Sequence, residues 1–251
     1  MKHKFFILIC LPFLMAFIRP EKKKLTIFMA GDSTMSSKEI KAYPETGWGM
    51  PFAYFWDSSV TVINKAKNGR STQSFIDEGL WDVITGSLQE GDYVFIQFGH
   101  NDEVPTKKTY TTEDKFRNNL VRYVNDTRNK KAIPVLLTPV ARRKFDSTGH
   151  IQETHAVYAQ IIREVAKEKS IPLIDLSEKS KTLYQQLGAE ESKYLFNYLL
   201  PGEHPNYPEG KKDDTHFSEL GARKIAEMVL AEIKNLYPEL ANRIHKPVVQ
   251  N

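Results

Sequence analysis

The sequence predicts an α/β fold: a single domain built on a mostly parallel sheet. Three observations predict it. Short apolar runs rich in Val, Ile and Phe recur without clean alternation, as strands covered on both faces do. Longer segments with apolar residues at helical spacing fall between them. No internal repeat, Gly/Ser linker or change of composition divides the chain, and 251 residues suit one domain. The 41% hydrophobic and 11% aromatic content is enough for a sizeable core.

The strands are expected in order at "LTIFMA" (25–30), "VTVINKA" (60–66), "DYVFIQFG" (92–99), "AIPVLLTPV" (132–140) and "IPLIDLS" (171–177). A helix is expected over 111–130, with Phe116, Leu120, Val121 and Val124 on one face after a Thr-rich, acidic start. A second spans 154–170, with Val157, Ile161, Ile162 and Val165 inward. A third spans 218–236, capped by Ser218, with Leu220, Ile225, Met228, Val229, Ile233 and Leu236 inward.

Residues 1–19 stand apart. Lys2 and Lys4 precede an apolar run from Phe5 to Phe17, too short for a membrane span and right for a secretory signal peptide. The folded domain is then 20–251, exported to the periplasm or the medium. Lipidation at Cys10 is not expected, because Ile9 stands where a small residue belongs. Losing Lys2, Lys4 and Arg19 takes the formal charge from +4 to +1. With no basic stripe interleaved with aromatics, nucleic acid is not an expected partner. Cys10 is the only cysteine, so the mature chain is expected to lack disulfides, a thiol nucleophile and Cys-type metal ligands.

Ligands of such sheets bind at the carboxyl ends of the strands. Four polar blocks lie there: Gly31-Asp32-Ser33-Thr34 after the first strand, "KNGRST" with Asn68, Gly69 and Arg70 after the second, "GHND" (99–102) after the third, and "DDTH" (213–216) before the last helix. They contain a complete acyl-transfer set. Ser33 can be a nucleophile if a histidine takes its proton, and an acid must hold that histidine in one tautomer. Asp213 and His216 are three residues apart, within reach of each other. The N–H groups of Ser33 and Gly69 and the amide of Asn101 can face a developing oxyanion. Taken singly, each has a plainer role: Ser33 as a cap, Gly69 as a turn residue, Asn101 in an Asx-turn, His216 at a helix start.

Together the four blocks resemble the SGNH (GDSL-type) hydrolase superfamily, in the family's order. The phrases "FMAGDSTM", "NGRST", "QFGHND" and "YPEGKKDDTHFSELGA" look most like its rhamnogalacturonan acetylesterases. The resemblance implies a flavodoxin-like, three-layer α/β/α domain with a five-stranded sheet. It implies a serine esterase removing O-acetyl groups from pectic polysaccharide, with Ser33 as nucleophile, His216 as base and Asp213 as orienting acid. Ser33, Gly69 and Asn101 form the implied oxyanion hole. The family spacing selects Asp213 over the adjacent Asp214.

Around these positions Asp32 and Asp102 read as loop-holding carboxylates. Arg70 reads either as a surface ion-pair partner or as the reader of an acidic sugar, and His100 either as scaffold or as a sugar contact. Trp48 and the rings of 192–212 (Tyr194, Phe196, Tyr198, Tyr207) can wall a cleft or fill the core, with Phe196 expected in the core. His150 and His155 are expected to face solvent. No Gly-x-Ser-x-Gly elbow, His-Glu-x-x-His or phosphate-cradling glycine motif occurs. No cofactor, metal or obligate protein partner is expected; the expected partner is an acetylated polysaccharide or oligosaccharide. The rival readings are a xylan, lipid or thioester hydrolase on the same fold and a non-catalytic carbohydrate-binding protein.

Overall fold

The computed structural model describes residues 22–245. The expected signal peptide and Cys10 lie outside the described residues. Five strands form one all-parallel sheet: β1 (Leu25–Gly31), β2 (Val60–Asn64), β3 (Tyr93–Gln97), β4 (Ile133–Leu137) and β5 (Leu173–Ile174), in the order β2-β1-β3-β4-β5. The helices are α1 (Gly49–Phe52), α2 (Thr72–Asp77), α3 (Leu80–Ser87), α4 (Glu113–Asn129), α5 (Ala156–Glu168), α6 (Leu176–Glu191), α7 (Glu219–Leu236) and α8 (Pro238–Ala241).

Alternation along each strand sorts the core into two layers. Ile27, Met29, Phe95, Val135 and Leu137 pack with Trp48, Phe52, Tyr184 and the α7 residues Ile225, Val229 and Ile233. Phe28, Val94, Ile96 and Leu136 pack on the other face with Trp81, Phe116, Leu120, Tyr158 and Ile162. This is the three-layer α/β/α arrangement expected.

β5 is shorter than the apolar run implied. Pro172 has no N–H to give a ladder, and Asp175 turns the chain by accepting the N–H of Glu178 as the cap of α6. α6 left no helical signature because the face it buries includes the small polar residues Ser177 and Ser180. Two expected helix faces are rotated at their first turns. Val157 and Leu220 are exposed, and Tyr158 and Gly221 are the buried residues there. Ser218 does cap α7, its hydroxyl accepting the N–H of Gly221.

Strand order reverses at β1: β2 lies to one side of it and β3 to the other. This is the point at which ligands usually bind in open α/β sheets. The GDST and GHND blocks both follow strands that flank it.

Candidate active site

Ser33 lies two residues beyond β1 in a turn held by Asp32. One oxygen of Asp32 accepts both the N–H of Thr34 (2.9 Å) and its hydroxyl (2.8 Å). A buried relay supports that turn from the sheet. The Trp48 indole N–H donates to Gln97 Oε1 (2.6 Å), and the Gln97 amide donates to Thr34 Oγ1 (2.8 Å). Burial raises the Asp32 pKa, against the pull of its two bonds from Thr34.

His216 closes on Ser33 across 183 residues of sequence, its Nε2 3.0 Å from Ser33 Oγ. On the other side of the ring, Nδ1 is 2.9 Å from Asp213 Oδ2. The second Asp213 oxygen accepts the N–H groups of Thr215 (2.8 Å) and His216 (2.9 Å). One carboxylate thus fixes both the turn and the ring. Burial would raise the Asp213 pKa, but the His216 ring and the two amides outweigh it and hold the carboxyl below its ordinary range. As an ionised acceptor it binds Nδ1–H, which leaves Nε2 free to take the Ser33 proton. Asp214 points away, to Arg143 Nη1 and the Tyr198 hydroxyl (each 2.6 Å), so the geometry separates the two neighbouring carboxylates.

Gly69 follows β2 in a turn with φ +77°, a conformation glycine adopts freely. The next residue is tied to the GHND turn: the Asn101 amide donates to the Arg70 carbonyl (3.0 Å). Lys107 donates to Asn101 Oδ1 (2.7 Å), which fixes which end of that amide presents N–H. Asp102 accepts the N–H (2.8 Å) and hydroxyl (2.7 Å) of Thr72 at the start of α2, and burial pushes its pKa up to about 7. Asp32 and Asp102 hold loops, as expected.

Of the four side chains expected at the substrate, Trp48 and His100 are buried, while Arg70 and Tyr207 are half-buried and bonded within the protein. Trp48 is fully buried against Phe52 and hydrogen-bonded to Gln97, so it belongs to the core. His100 is buried, edge-on to His155 with ring centroids 4.3 Å apart; burial drives its pKa well down and keeps it neutral. Arg70 is committed to Glu78, with Nε at 3.1 Å and Nη2 at 2.9 Å from one carboxylate oxygen. The Tyr207 hydroxyl donates to the Ala42 carbonyl (2.8 Å), bracing the 204–211 loop against 40–42. Phe196 is in the core as expected, Tyr198 lies beneath Arg143, and Tyr194 is exposed. His150 faces solvent, but His155 is buried, its Nδ1 2.8 Å from Glu103 Oε2.

The sequence reading missed Lys38, Gln97, Lys107 and Arg142. Arg142 donates to Thr215 Oγ1 (2.7 Å) and to the His100 carbonyl (3.2 Å), joining the DDTH and GHND blocks. Of the four, only Gln97 carried a signal, a polar side chain at the inward end of a buried strand. Among the described residues no His, Cys, Asp and Glu side chains gather as a metal-ligand set.

A parallel sheet with reversed order at β1, a serine at the switch point and a histidine-carboxylate pair on the last block define a GDSL-type hydrolase. The family model for GDSL-like Lipase/Acylhydrolase matches residues 29–224, and the chain belongs to that family. It is an ester hydrolase. Rhamnogalacturonan acetylesterase RhgT of Bacillus subtilis (strain 168) is 44% identical over 86% of this chain and 92% of its own length. The probable rhamnogalacturonan acetylesterase YesY of the same strain is 32% identical over 88% of this chain and 97% of its own. Among solved structures, protein YxiM of Bacillus subtilis superposes with a TM-score of 0.73 at 26% identity, covering 85% of this chain and 57% of that one.

Proposed function

We propose that this protein is a serine acetylesterase that removes O-acetyl groups from pectic polysaccharide, acetylated rhamnogalacturonan. The observation that carries the chemistry is the unbroken contact from Asp213 through His216 to Ser33. The substrate class is supported by the two Bacillus relatives whose names carry it.

In this reading Ser33 Oγ attacks the acetyl carbonyl carbon while His216 Nε2 takes its proton. Asp213 stabilises the imidazolium that results. The oxyanion of the tetrahedral intermediate accepts from the N–H groups of Ser33 and Gly69 and from the Asn101 amide. His216 then protonates the sugar oxygen as its bond to the acetyl carbon breaks. Water, deprotonated by the same ring, releases acetate from the acetyl-serine. Residues 1–19 act as an export signal in this reading, so that the enzyme meets its polymer outside the cytoplasm.

The test is acetate release from acetylated rhamnogalacturonan, acetylated xylan and a small aryl acetate, with Ser33→Ala in parallel. The expected result is release from the pectic polymer well above the xylan, and none from the variant. Release from the aryl acetate alone would remove the polymer assignment. Undiminished release by Ser33→Ala would remove the mechanism.

A further inference from the structure

The geometry points to Lys38 as a positioning residue that locks the nucleophile turn to the turn carrying Gly69. This rests on the assignment of Ser33 and Gly69 made above. Lys38 sits in the loop between β1 and α1, with a side chain only 2% exposed. An ammonium is costly to bury unless its protons are taken up. Here three acceptors surround it: the Ser33 carbonyl at 2.6 Å, Asn68 Oδ1 at 2.8 Å and Glu45 Oε1 at 2.7 Å. Burial pulls its pKa below the ordinary lysine value while Glu45 opposes the shift.

Two of those acceptors belong to the catalytic turns. The peptide joining Ser33 to Thr34 is gripped at both poles, its carbonyl by Lys38 and its N–H by Asp32. That fixes the backbone from which Ser33 Oγ projects. Asn68 immediately precedes Gly69, so its side chain anchors the peptide whose N–H faces the proposed oxyanion. Asn68 Oδ1 also accepts the Ser36 hydroxyl (2.6 Å), a second tie between the same turns. On the far side the Asn101 amide holds the Arg70 carbonyl. The three proposed donors are thereby linked in one chain of contacts: Ser33, Lys38, Asn68-Gly69-Arg70, Asn101. Backbone pairing with β1 continues past Asn64 as far as the Lys67 N–H on the Gly31 carbonyl (3.0 Å), so beyond Lys67 the exposed turn of Asn68 and Gly69 depends on these side-chain ties. An ångström of misplacement at such a donor costs transition-state stabilisation while leaving substrate affinity nearly untouched.

The experiment is steady-state kinetics on a small aryl acetate for Lys38→Met, Asn68→Ala and the double variant. Melting temperatures and inactivation rates with a dialkyl aryl phosphate, which needs the same serine and oxyanion donors, are measured on each. We expect Lys38→Met to lower kcat by ~10–100-fold with KM changed by less than ~3-fold, and inactivation to slow in parallel. Asn68→Ala, at an exposed turn, should lower kcat by ~3–10-fold, and the double variant should lose less than the product of the two single effects, because both break the Lys38–Asn68 contact. A folded Lys38→Met with unchanged kcat, or single effects that multiply in the double variant, overturns the proposal. If Lys38→Met does not fold, an unchanged kcat in Asn68→Ala overturns it. Ser33→Ala measured alongside separates the two layers. Turnover by that variant removes the nucleophile reading and the clamp with it. An inactive Ser33→Ala beside a fully active Lys38→Met removes the clamp alone.

Discussion

The two halves of the site are built differently. On the Ser33 side, Asp32, Thr34, Gln97 and Trp48 are fully buried and joined in one hydrogen-bonded relay. On the His216 side, the catalytic turn ends a long surface excursion after residue 196. The side chains of His216 and Asp214 remain 29% and 49% exposed. That turn is held in part by itself, Asp213 capping its own backbone, and in part by Arg142 on Thr215 and by the Arg143 N–H on the Asp214 carbonyl (2.8 Å). Phe217 then pins it to the core, and its carbonyl accepts the Thr46 N–H (2.9 Å). The proposed nucleophile is therefore positioned by a fully buried relay, and the proposed base by a half-exposed turn tied down by polar contacts. Substitutions that end the chemistry and substitutions that weaken the fold should separate along this line.

The largest effect tests the base of that contrast. Ser33→Ala removes one hydroxyl whose partner is the His216 ring. Turnover should fall by ~10³-fold or more while the melting temperature stays within ~2 °C, read by calorimetry beside the assay. Asp213→Asn should follow. It permits the wrong histidine tautomer, so kcat should drop by ~10²–10⁴-fold. Its carboxyl is held below the ordinary value, so its share of stability is present at neutral pH and lost as pH falls through the folded-state value. The stability gap between parent and variant should accordingly shrink in acid.

Gln97→Leu probes the opposite half. It strands the Trp48 N–H in the core and takes from Thr34 Oγ1 the one N–H it accepts, and should cost ~1–3 kcal/mol in denaturant melts, with activity falling too. An unchanged melt would falsify the claim that the core positions the nucleophile.

Asp102 sharpens the contrast through pH. Burial lifts its pKa from 3.8 to about 7. The unfolded chain thus gives up this proton first, and the residue disfavours the fold progressively from about pH 4 to pH 7. Asp102→Asn removes that slope, so its melting temperature relative to the parent should improve across this range. A gap that stays constant with pH would count against the raised value. The smallest effect belongs to Asp214→Asn. Beside an exposed ion pair it should move kcat by less than ~2-fold. A loss as large as that of Asp213→Asn would mean the adjacent carboxylate had been misassigned.

Much of this was legible in the chain. The five strands could be read because strands covered on both faces must be apolar throughout. The four polar blocks could be read because sites of such sheets gather at strand ends, and their order and the Asp213–His216 spacing are local properties. α4, α5 and α7 carried their helical period, though the first turns of α5 and α7 were misread, since one exposed apolar residue at the proper spacing is indistinguishable from a buried one.

Other features were decided in three dimensions. α6 buries Ser177 and Ser180, which no hydrophobic pattern marks. Trp48 could have bordered the crevice or filled the core; its partner Gln97 lies 49 residues away and sends it inward. Arg70 was open to either a sugar acid or a surface carboxylate, and the fold sets Glu78 beside it. His155 was drawn inside by Glu103 and His100. Lys38 looks like any surface lysine until the loops after β1 and β2 close around it. The chain by itself determined the strands, the blocks and the set of polar residues they carry, because those depend on residue type and short spacing. Which polar side chains were left facing the crevice depended on partners distant in sequence, because a buried donor or charge goes wherever the fold satisfies it.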